Sequence, residues 1–386
     1  MTTRILIGAD IVPTRSNYRY FKEGNVDELI GKELKNRLQS ADFTIFNLET
    51  PLTDKENPIE KAGPNLIAPT YTIKGLKAIN PCFFSLANNH ILDQGEQGLS
   101  STIQLLGKED IKYAGAGKNL EEAKKPYTFE QNGIRIGIYC CAEHEFTIAA
   151  DETPGANPFE PLESLDHIIE LKGHCDFVIV LYHGGKEHYR YPSPYLQKLC
   201  RKMVEKGADI VVCQHTHCVG CEEKWNKGTI IYGQGNFLFD NSDCDFWQTG
   251  LLTEVIIEKH ENNVSAAVEY YPLRKVNEKV RLADKEEGAK IIENFISRSH
   301  SIKDEKKVKE MYQKFAEEML PNYLATFSGK RGLLQRALNK LSGYQFYKFV
   351  IKHKYKNHEK NAVRNYIECE AHRELVIQGI KDSIIR

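Results

Sequence analysis

Two short segments of the sequence carry residue types that bind metal ions and transfer protons. The first contains Asn89 and His90, and the second contains His215 and His217. Each segment directly follows a short apolar run of the kind that forms a buried strand. In open α/β sheets, ligands bind at the carboxyl ends of strands. The sequence therefore predicts a metal-binding or proton-transferring site at the edge of a sheet.

Three further strand-like runs end in the same manner. Asp10, Glu49 and His183 each follow closely on an apolar run. A single histidine or carboxylate at such a position is more often a hydrogen-bonded structural residue or a helix cap. Five strand ends that all carry nitrogen or oxygen ligands favour a common metal site over that alternative.

The donor types indicate which ions such a site would hold. Imidazole nitrogens mixed with carboxylate and amide oxygens suit manganese, iron or zinc better than calcium or a thiolate-only zinc site. The set is too large for one tetrahedral ion and about right for two ions that share a carboxylate, an arrangement that promotes phosphoryl transfer. We expect one or two divalent transition ions, with manganese favoured. The predicted ligands are Asp10, Glu49, Asn89, His183, His215 and His217.

Residues next to the predicted ligands are candidates for the catalytic work. His90 adjoins Asn89 and would protonate a leaving group. Asp93, three residues further on, would orient the His90 ring as an outer-shell carboxylate. Arg15 and His188 are candidate phosphate contacts.

The bulk composition is that of a globular protein with free thiols. The chain has 386 residues, 41% of them apolar and 27% charged, with a formal net charge of -1. No apolar run approaches the roughly 18–20 residues of a membrane span. The first strand begins almost at the N-terminus, so we expect no signal peptide. The ten cysteines show no paired framework, which favours a reducing, cytoplasmic location.

Hydrophobic patterning predicts an α/β fold followed by helices. Before about residue 275, short β-type runs alternate with helical stretches, and the segment 251–271 has the pattern of an antiparallel hairpin, so the sheets should be mixed. Asn132-Gly133 predicts a second hairpin turn, which joins 127–130 to 135–140. We therefore predict domains at 1–275 and 280–386. The other predicted strands are 4–8, 44–47, 82–86, 177–181, 210–213, 229–232, 251–257 and 264–271, and the predicted helices include 26–38, 95–106, 162–171 and 194–206.

The C-terminal region has its own pattern. Apolar residues from Val308 to Met319 recur at helical spacing, and Pro321 predicts the end of that helix. Residues 330–386 predict two or three more helices. Between residues 330 and 364 there are ten Lys or Arg and one acid, Glu359.

The order of these motifs resembles the CapA / poly-γ-glutamate synthesis family, a branch of the calcineurin-like metallophosphoesterases. The resemblance covers about the first 270 residues. It implies a sandwich of two mixed β-sheets flanked by helices, with a dinuclear site at the strand ends. It also implies metal-ligand roles for the six residues above and a general-acid role for His90. The matching segments include Gly8-Ala9-Asp10 with Arg15, Asn47-Leu48-Glu49, Ala87-Asn88-Asn89-His90 with Asp93, His183-Gly184-Gly185 with Glu187, His215-Thr216-His217 and Gly235-Asn236-Phe237.

The sequence departs from this pattern at three points. Asp10 is followed by Ile11 and Val12, where phosphoesterases usually have Asp-x-His, and Glu49 stands where they have a bridging Asp. CapA relatives usually carry a membrane anchor before the first strand, whereas we expect none from this sequence. The first two departures bear on which metal is bound and whether both sites are filled.

Three functions are compatible with these observations. The favoured one is a metal-dependent phosphoesterase-like hydrolase that acts on a phosphorylated small molecule or envelope polymer in capsule or poly-γ-glutamate metabolism. The alternatives are a non-hydrolytic accessory protein for an anionic polymer and a metal-dependent hydrolase of a γ-glutamyl amide. Retention of Asn89 and His90 favours catalysis over binding alone.

The basic segment 330–364 suggests a further partner. Its aromatic and basic residues are typical of a surface that docks on an anionic membrane, which would place the protein at the inner membrane surface, or on an anionic polymer. The alternative is a solvated helical face packed on the catalytic domain. Nucleic acid is not expected, because the whole chain is nearly neutral and has no recognised binding motif.

Overall fold

The computed structural model of the protein describes residues 1–261, 263–329 and 332–384. Contacts divide the chain into two compact units, Met1–Val308 and Lys309–Arg386. The helix Lys285–Ser301, which the sequence analysis assigned to the extension 280–386, belongs by its contacts to the first unit: its Phe295 is buried with Leu251. Whether 1–275 folds as a domain by itself stays a prediction.

All sixteen strands of the described chain lie in the first unit, and ten of them match predicted segments. The strands that were not predicted are two to four residues long, too short for a clear alternation of apolar and polar residues. The strands are β1 (Thr2–Val12), β2 (Phe43–Leu48), β3 (Phe83–Ser85), β4 (Lys112–Ala114), β5 (Ala116–Gly117), β6 (Tyr127–Gln131), β7 (Ile134–Ala142), β8 (Gly155–Ala156), β9 (Phe177–His183), β10 (Ile210–Gln214), β11 (Glu222–Trp225), β12 (Gly228–Tyr232), β13 (Asn236–Phe239), β14 (Thr249–His260), β15 (Asn263–Val276) and β16 (Lys279–Leu282).

Fourteen of the sixteen strands form two mixed sheets, and β5 and β8 pair with each other in a separate two-stranded antiparallel sheet. The first has the order β16-β15-β14-β1-β2-β3-β4, with β13 also paired to β1, and the second has the order β11-β12-β10-β9-β7-β6. Strands β1 to β4 run parallel, as do β7, β9, β10 and β12, while antiparallel strands complete each sheet. The predicted hairpin turn is confirmed: Asn132 and Gly133 join β6 to β7 with φ of 50° and 70°.

Helices of the first unit cover the outer faces of the sheets, and those of the second unit follow. The bounds are α1 (Tyr18–Glu23), α2 (Val26–Ile30), α3 (Lys32–Gln39), α4 (Ile73–Ala78), α5 (Gly95–Lys108), α6 (Leu120–Ala123), α7 (Ser164–His174), α8 (Pro194–Glu205), α9 (Lys285–Ser301), α10 (Glu305–Phe327), α11 (Leu333–Leu341), α12 (Gln345–Lys354), α13 (Asn357–Glu368) and α14 (Glu370–Ile384).

Alternation of side chains along the strands builds three apolar layers. In β1, Ile5 and Ile7 face the second sheet, whereas Leu6 packs toward the helices outside the first sheet. In β9, Ile179 lies between the sheets and Val180 packs outward with α7 and α8. Successive strand residues point to opposite faces, so continuously apolar strands are buried on both sides. The predicted sandwich of two mixed sheets flanked by helices is confirmed.

One predicted helix is divided in two. The segment 26–38 forms α2 and α3, which are separated by Gly31 with φ of 78°. A left-handed residue cannot continue a right-handed helix, and glycine adopts that conformation at little cost.

In the second unit, the prediction that Pro321 ends its helix is wrong, because α10 continues through it to Phe327. Leu324 and Ala325, about one turn beyond the proline, are buried with Tyr347 and Ile351. An interior proline removes one backbone hydrogen bond and costs about 3 kcal/mol or more. Burial of the following turn offsets that cost. The prediction of two or three helices for residues 330–386 is wrong in number, because the described part of this segment contains four, α11 to α14. Residues 330, 331, 385 and 386 lie outside the described part.

None of the helices in the described ranges is both long enough and apolar enough to cross a membrane.

Candidate metal centre

The predicted ligands converge because parallel strands of both sheets end at one edge. Asp10 is near the end of β1, Glu49 directly follows β2, and His183 is the last residue of β9. His215 and His217 follow β10, which pairs in parallel with β9 so that Gln214 lies beside His183. The first sheet therefore places carboxylates at this edge, and the second sheet places imidazoles there. All of these side chains are buried.

One group of potential ligand atoms is formed by Glu49, His183 and His215, whose donor atoms lie within 4.8 Å of one another. His183 Nε2 is 3.3 Å from Glu49 Oε1 and 3.1 Å from His215 Nδ1. Asn89 Oδ1 lies 3.0 Å from the same His183 nitrogen. Four of the six predicted ligands thus surround one point.

A second group is formed by Asp10, Glu49 and His217, whose donor atoms also lie within 4.8 Å of one another. His217 Nδ1 is 3.8 Å from Asp10 Oδ2. Glu49 belongs to both groups. The geometry thus brings all six predicted ligands together and gives Glu49 the position of a shared carboxylate.

The charges of this cluster fit a bound divalent cation. Among the described residues, neither carboxylate oxygen of Glu49 has a hydrogen-bond partner, although the side chain is fully buried. Burial raises the pKa of Glu49 and of Asp10 to about 8. A buried carboxylate without compensation is costly, and a divalent cation would supply that compensation.

The histidines of the cluster are held in the form that binds metals. Burial lowers the pKa of His183, places that of His215 well below its usual value, and lowers that of His217 to about 3. Neutral imidazole is the ligating form. The donor set therefore suits one or two divalent ions, with the choice of manganese, iron or zinc still a prediction.

Unusual backbone conformations place the two predicted ligands after β10. His215 has φ of 88° and His217 has φ of 53°. Such values are uncommon for residues other than glycine, and they concentrate at functional sites where the surrounding structure enforces them. Here Gln214, the residue before His215, donates to the carbonyl of Gly8 at 3.2 Å and ties the end of β10 to β1.

Amide side chains contact the predicted ligands from outside the cluster. Asn47 donates to Asp10 Oδ1 at 2.8 Å, and Asn88 donates to Asn47 Oδ1 at 3.1 Å. His217 Nδ1 lies 2.9 Å from Asn236 Oδ1. Sequence reasoning gave Asn236 no role, because the four-residue strand β13 that places it beside Asp10 was not recognised. Outer-shell bonds of this kind fix the orientation of a ligand.

His90 stands at the cluster with its ring held from one side. Its Nδ1 is 2.6 Å from Asp93 Oδ2, so the contact expected between these residues is present. The backbone N–H of Leu66 donates to the same Asp93 oxygen at 2.6 Å, and Lys61 Nζ donates to the other oxygen. Lys61 is also 3.2 Å from His90 Nδ1. Sequence reasoning missed Lys61, which lies in an irregular segment without a motif.

The two candidate phosphate contacts differ in position. Arg15 is exposed after β1, and no contact in the described part of the chain joins it to the cluster. His188 lies near the cluster, with its ring 6.3 Å from that of His217, and its Nε2 accepts a hydrogen bond of 2.9 Å from Trp247. Trp247, whose ring is 4.4 Å from the His217 ring, forms an aromatic wall that the sequence did not predict. The catalytic roles of His90, Asp93 and Arg15 stay predictions.

Comparison with known proteins identifies the family. Residues 4–241 match the family described as bacterial capsule synthesis protein PGA_cap. The chain belongs to this family. The PGA_cap match contains every predicted ligand and ends before α9, so α9 and the second unit lie outside it.

Two curated relatives agree with the PGA_cap assignment. The chain is 33% identical over 247 residues to the capsule biosynthesis protein CapA of Bacillus anthracis, covering 61% of this chain and 59% of that protein. It is 33% identical over 207 residues to the PGA biosynthesis protein CapA of Bacillus subtilis, covering 52% and 54%. The chain thus spans less than two thirds of the length of either relative.

Two solved structures are similar at lower identity. A novel phosphatase from Mycoplasma pneumoniae aligns with a TM-score of 0.45 and 16% identity, covering 72% of this chain and 95% of that one. A 5'-nucleotidase precursor from Thermus thermophilus aligns with a TM-score of 0.39 and 14% identity, covering 83% and 59%. The family assignment rests on the sequence matches alone.

Proposed function

We propose that this protein is a metal-dependent phosphoesterase-like hydrolase of the CapA family. Its substrate would be a phosphorylated small molecule or an envelope polymer in capsule or poly-γ-glutamate metabolism. The observation that carries the proposal is the position of the buried carboxylate of Glu49, which has no hydrogen-bond partner among the described residues, in both ligand groups. Two divalent ions bound there would supply a hydroxide nucleophile and electrostatic stabilisation of the phosphoryl oxygens.

The chain's own residues supply proton transfer and orientation. Asp93 accepts from His90 Nδ1 and leaves Nε2 as the nitrogen that donates to a leaving group. Lys61 and the Leu66 backbone hold the Asp93 carboxylate, so the ring keeps its orientation. His188 and Trp247 line the approach beside His217 and would contact the substrate.

The amide-hydrolase and accessory alternatives make different demands on the same site. Hydrolysis of a γ-glutamyl amide would use the same metals and the same general acid, and the cluster geometry suits it as well. A purely accessory role would not require His90 to be held by Asp93 next to the ligands. The His90–Asp93 contact is the observation that favours a hydrolase over an accessory protein.

An activity screen with controlled metal content tests the proposal. The protein is stripped with a chelator, reloaded with manganese, ferrous iron or zinc, and assayed on aryl phosphate monoesters and diesters and on γ-glutamyl oligomers. We expect metal-dependent release of the aryl alcohol. Turnover of γ-glutamyl oligomers alone would establish the amide hydrolase. Stoichiometric metal binding without turnover of any substrate would favour the accessory role.

We further propose that the second unit docks on an anionic surface, with a membrane as the favoured occupant. Helix α11 presents Leu333 and Leu341 with 86% and 84% of their surface exposed, and Tyr344 and Phe349 are also exposed. Apolar and aromatic side chains beside basic ones suit the membrane interface. Lys330 and Arg331 lie outside the described residues, and the remaining basic residues of the segment are Arg336, Lys340, Lys348, Lys352, Lys354, Lys356, Lys360 and Arg364.

Vesicle co-sedimentation should detect this docking. We expect binding to vesicles that contain anionic lipid and a loss of more than about tenfold in affinity from low to physiological salt, because each basic residue near the surface contributes roughly 1 kcal/mol. Leu333→Ser with Leu341→Ser should weaken binding, since both leucines would enter the interface. Leu162→Ser is the matched control, because Leu162 is an equally exposed leucine of the first unit.

Binding that is independent of lipid charge and salt would contradict the membrane proposal. Binding to soluble polyglutamate but not to vesicles would instead identify an anionic polymer as the occupant.

A further inference from the structure

A cleft of about 930 Å³ in the first unit lies next to the loop that carries His217. Its walls include Val219 in that loop, Thr249 at the start of β14, and one side of α9 with Asn294 and Arg298. Because α9 lies beyond residue 241, part of this cleft is built by a segment outside the PGA_cap match.

Two arginines of the cleft wall meet at one backbone carbonyl. Arg190 Nη1 donates to the carbonyl of Val219 at 3.1 Å, and Arg298 Nη2 donates to the same carbonyl at 3.0 Å. Arg298 Nε donates to the carbonyl of Gly220 at 2.7 Å. Two guanidinium groups thus converge on a single backbone oxygen, and most of the N–H groups of both side chains remain for another partner.

In the part of the chain that the structure describes, no carboxylate is in ion-pair contact with either arginine of this pair. Within the described ranges, neither Arg190 nor Arg298 forms an ion pair, whereas Arg201 pairs with Glu223 and Glu305, and Arg274, also in the cleft wall, pairs with Glu287 at 3.0 Å. Burial, together with the neighbouring charge of Arg190, lowers the pKa of Arg298. Acids do line the cleft, at Asp245, Asp284, Glu286, Glu287 and Glu293.

A series of aromatic contacts leads from Arg190 of the arginine pair to His217 of the metal cluster. The guanidinium carbon of Arg190 lies 4.9 Å from the centre of the Phe246 ring, which stacks on His188 at 5.2 Å. The Trp247 ring lies 6.4 Å from the His188 ring and 4.4 Å from the His217 ring. An anion held by the arginines would therefore be beside the metal centre and outside it.

We propose that Arg190 and Arg298 form a binding site for an oxyanion, a carboxylate or a phosphate, distinct from the metal centre. The planar guanidinium presents paired N–H donors that match the oxygens of either group, and two adjacent guanidinium groups without a counter-ion gain the most from such a ligand. The site does not depend on whether the metal centre hydrolyses its substrate.

Calorimetric titration tests this site. The protein is first treated with a chelator, so that no anion can bind through a metal ion. Inorganic phosphate and a glutamate oligomer are the two probes, so that the titrations separate phosphate from carboxylate as the preferred group. We expect Arg190→Gln and Arg298→Gln each to weaken binding by about 10–100-fold, the effect of losing a charge-assisted hydrogen bond. Arg298→Lys should retain part of the affinity, because it keeps the charge and one donor.

Two control variants test whether the anion binds at the arginine pair. Arg274→Gln removes an arginine of the same cleft that already has a carboxylate partner and should leave binding unchanged. Glu49→Gln alters the metal centre and should not weaken binding either. Absence of binding to the unsubstituted protein, or equal losses in the Arg274 and Arg298 variants, would overturn the proposal. If the Arg190→Lys variant keeps the melting temperature of the unsubstituted protein but binds the anion more weakly, the loss of binding is not caused by misfolding.

Discussion

Glu49→Gln should remove the shared ligand of the metal centre and with it the tight binding of divalent ions. Loss of an outer-shell partner costs about 10–100-fold in metal affinity, and loss of a carboxylate that belongs to both ligand groups should cost more. The substitution keeps the size of the side chain and deletes its charge. Calorimetric titration with manganese and elemental analysis of the purified variant give the affinity and the stoichiometry.

The stability of the same variant should change in opposite directions with and without metal. Burial raises the pKa of Glu49 to about 8, so above that pH the metal-free protein holds a buried charge that the unfolded chain would expose to water. Without metal, Glu49→Gln should therefore melt at a temperature equal to or above that of the unsubstituted protein at about pH 9. With manganese, the unsubstituted protein should gain stability by ligand binding and the variant should not.

Glu223→Gln is the matched control for this experiment. Glu223 is also a buried carboxylate, but its partners are Arg201 and Tyr232. The Glu223→Gln variant should be less stable than the unsubstituted protein and should bind the same number of metal ions. If Glu49→Gln bound two ions with unchanged affinity, Glu49 would not be a metal ligand.

His90→Asn should lower turnover by roughly 10²–10⁴ on a substrate with a poor leaving group, such as phenyl phosphate, while metal content stays the same. The penalty should shrink for nitrophenyl phosphate, whose leaving group departs without protonation. The physical reason is that a strongly basic alkoxide or phenoxide leaves readily only when it is protonated, whereas nitrophenolate leaves as the anion. Steady-state rates on both substrates and metal analysis of the variant check the expectation.

Two comparisons keep the His90 result interpretable. His167→Asn changes a half-buried histidine that contacts Tyr139 at 3.2 Å and should leave turnover on both substrates unaltered. Asp93→Asn should reproduce part of the His90 loss, because the Asp93 carboxylate holds the ring. Equal losses on both phosphates, or a lower metal content, would make His90 a ligand and exclude the role of general acid.

Local sequence determined most of the individual strands and the chemistry at their ends. Apolar runs of strand length with ligand residues directly behind them predicted where Asp10, Glu49 and His183 would stand, because a strand end and its side-chain direction are local properties. The turn at Asn132-Gly133 was equally readable, since both residues favour positive φ. The chemistry of the donors then indicated a divalent transition metal before any distance was known.

Other features depended on contacts between distant parts of the chain. Lys61 reaches Asp93 from an irregular segment without a motif, and Asn236, although part of the motif Gly235-Asn236-Phe237, reaches His217 from a strand of four residues that was not predicted. The sequence therefore assigned neither residue a role. The continuation of α10 through Pro321 depended on burial of Leu324 beside Tyr347. In each case the deciding partner is remote in sequence, and propensity is a weak prior that tertiary packing overrides.

The sequence by itself indicated the donor types, most of the strands that carry them and an α/β class with mixed sheets, because each follows from short-range pattern and donor chemistry. The sandwich of two sheets was implied by the family resemblance. Only the tertiary structure decided that Glu49 is shared by two ligand groups and that Arg190 and Arg298 meet at one carbonyl. The reason is that these arrangements depend on sheet order and on the packing of α9, which bring together residues that are remote from one another along the chain.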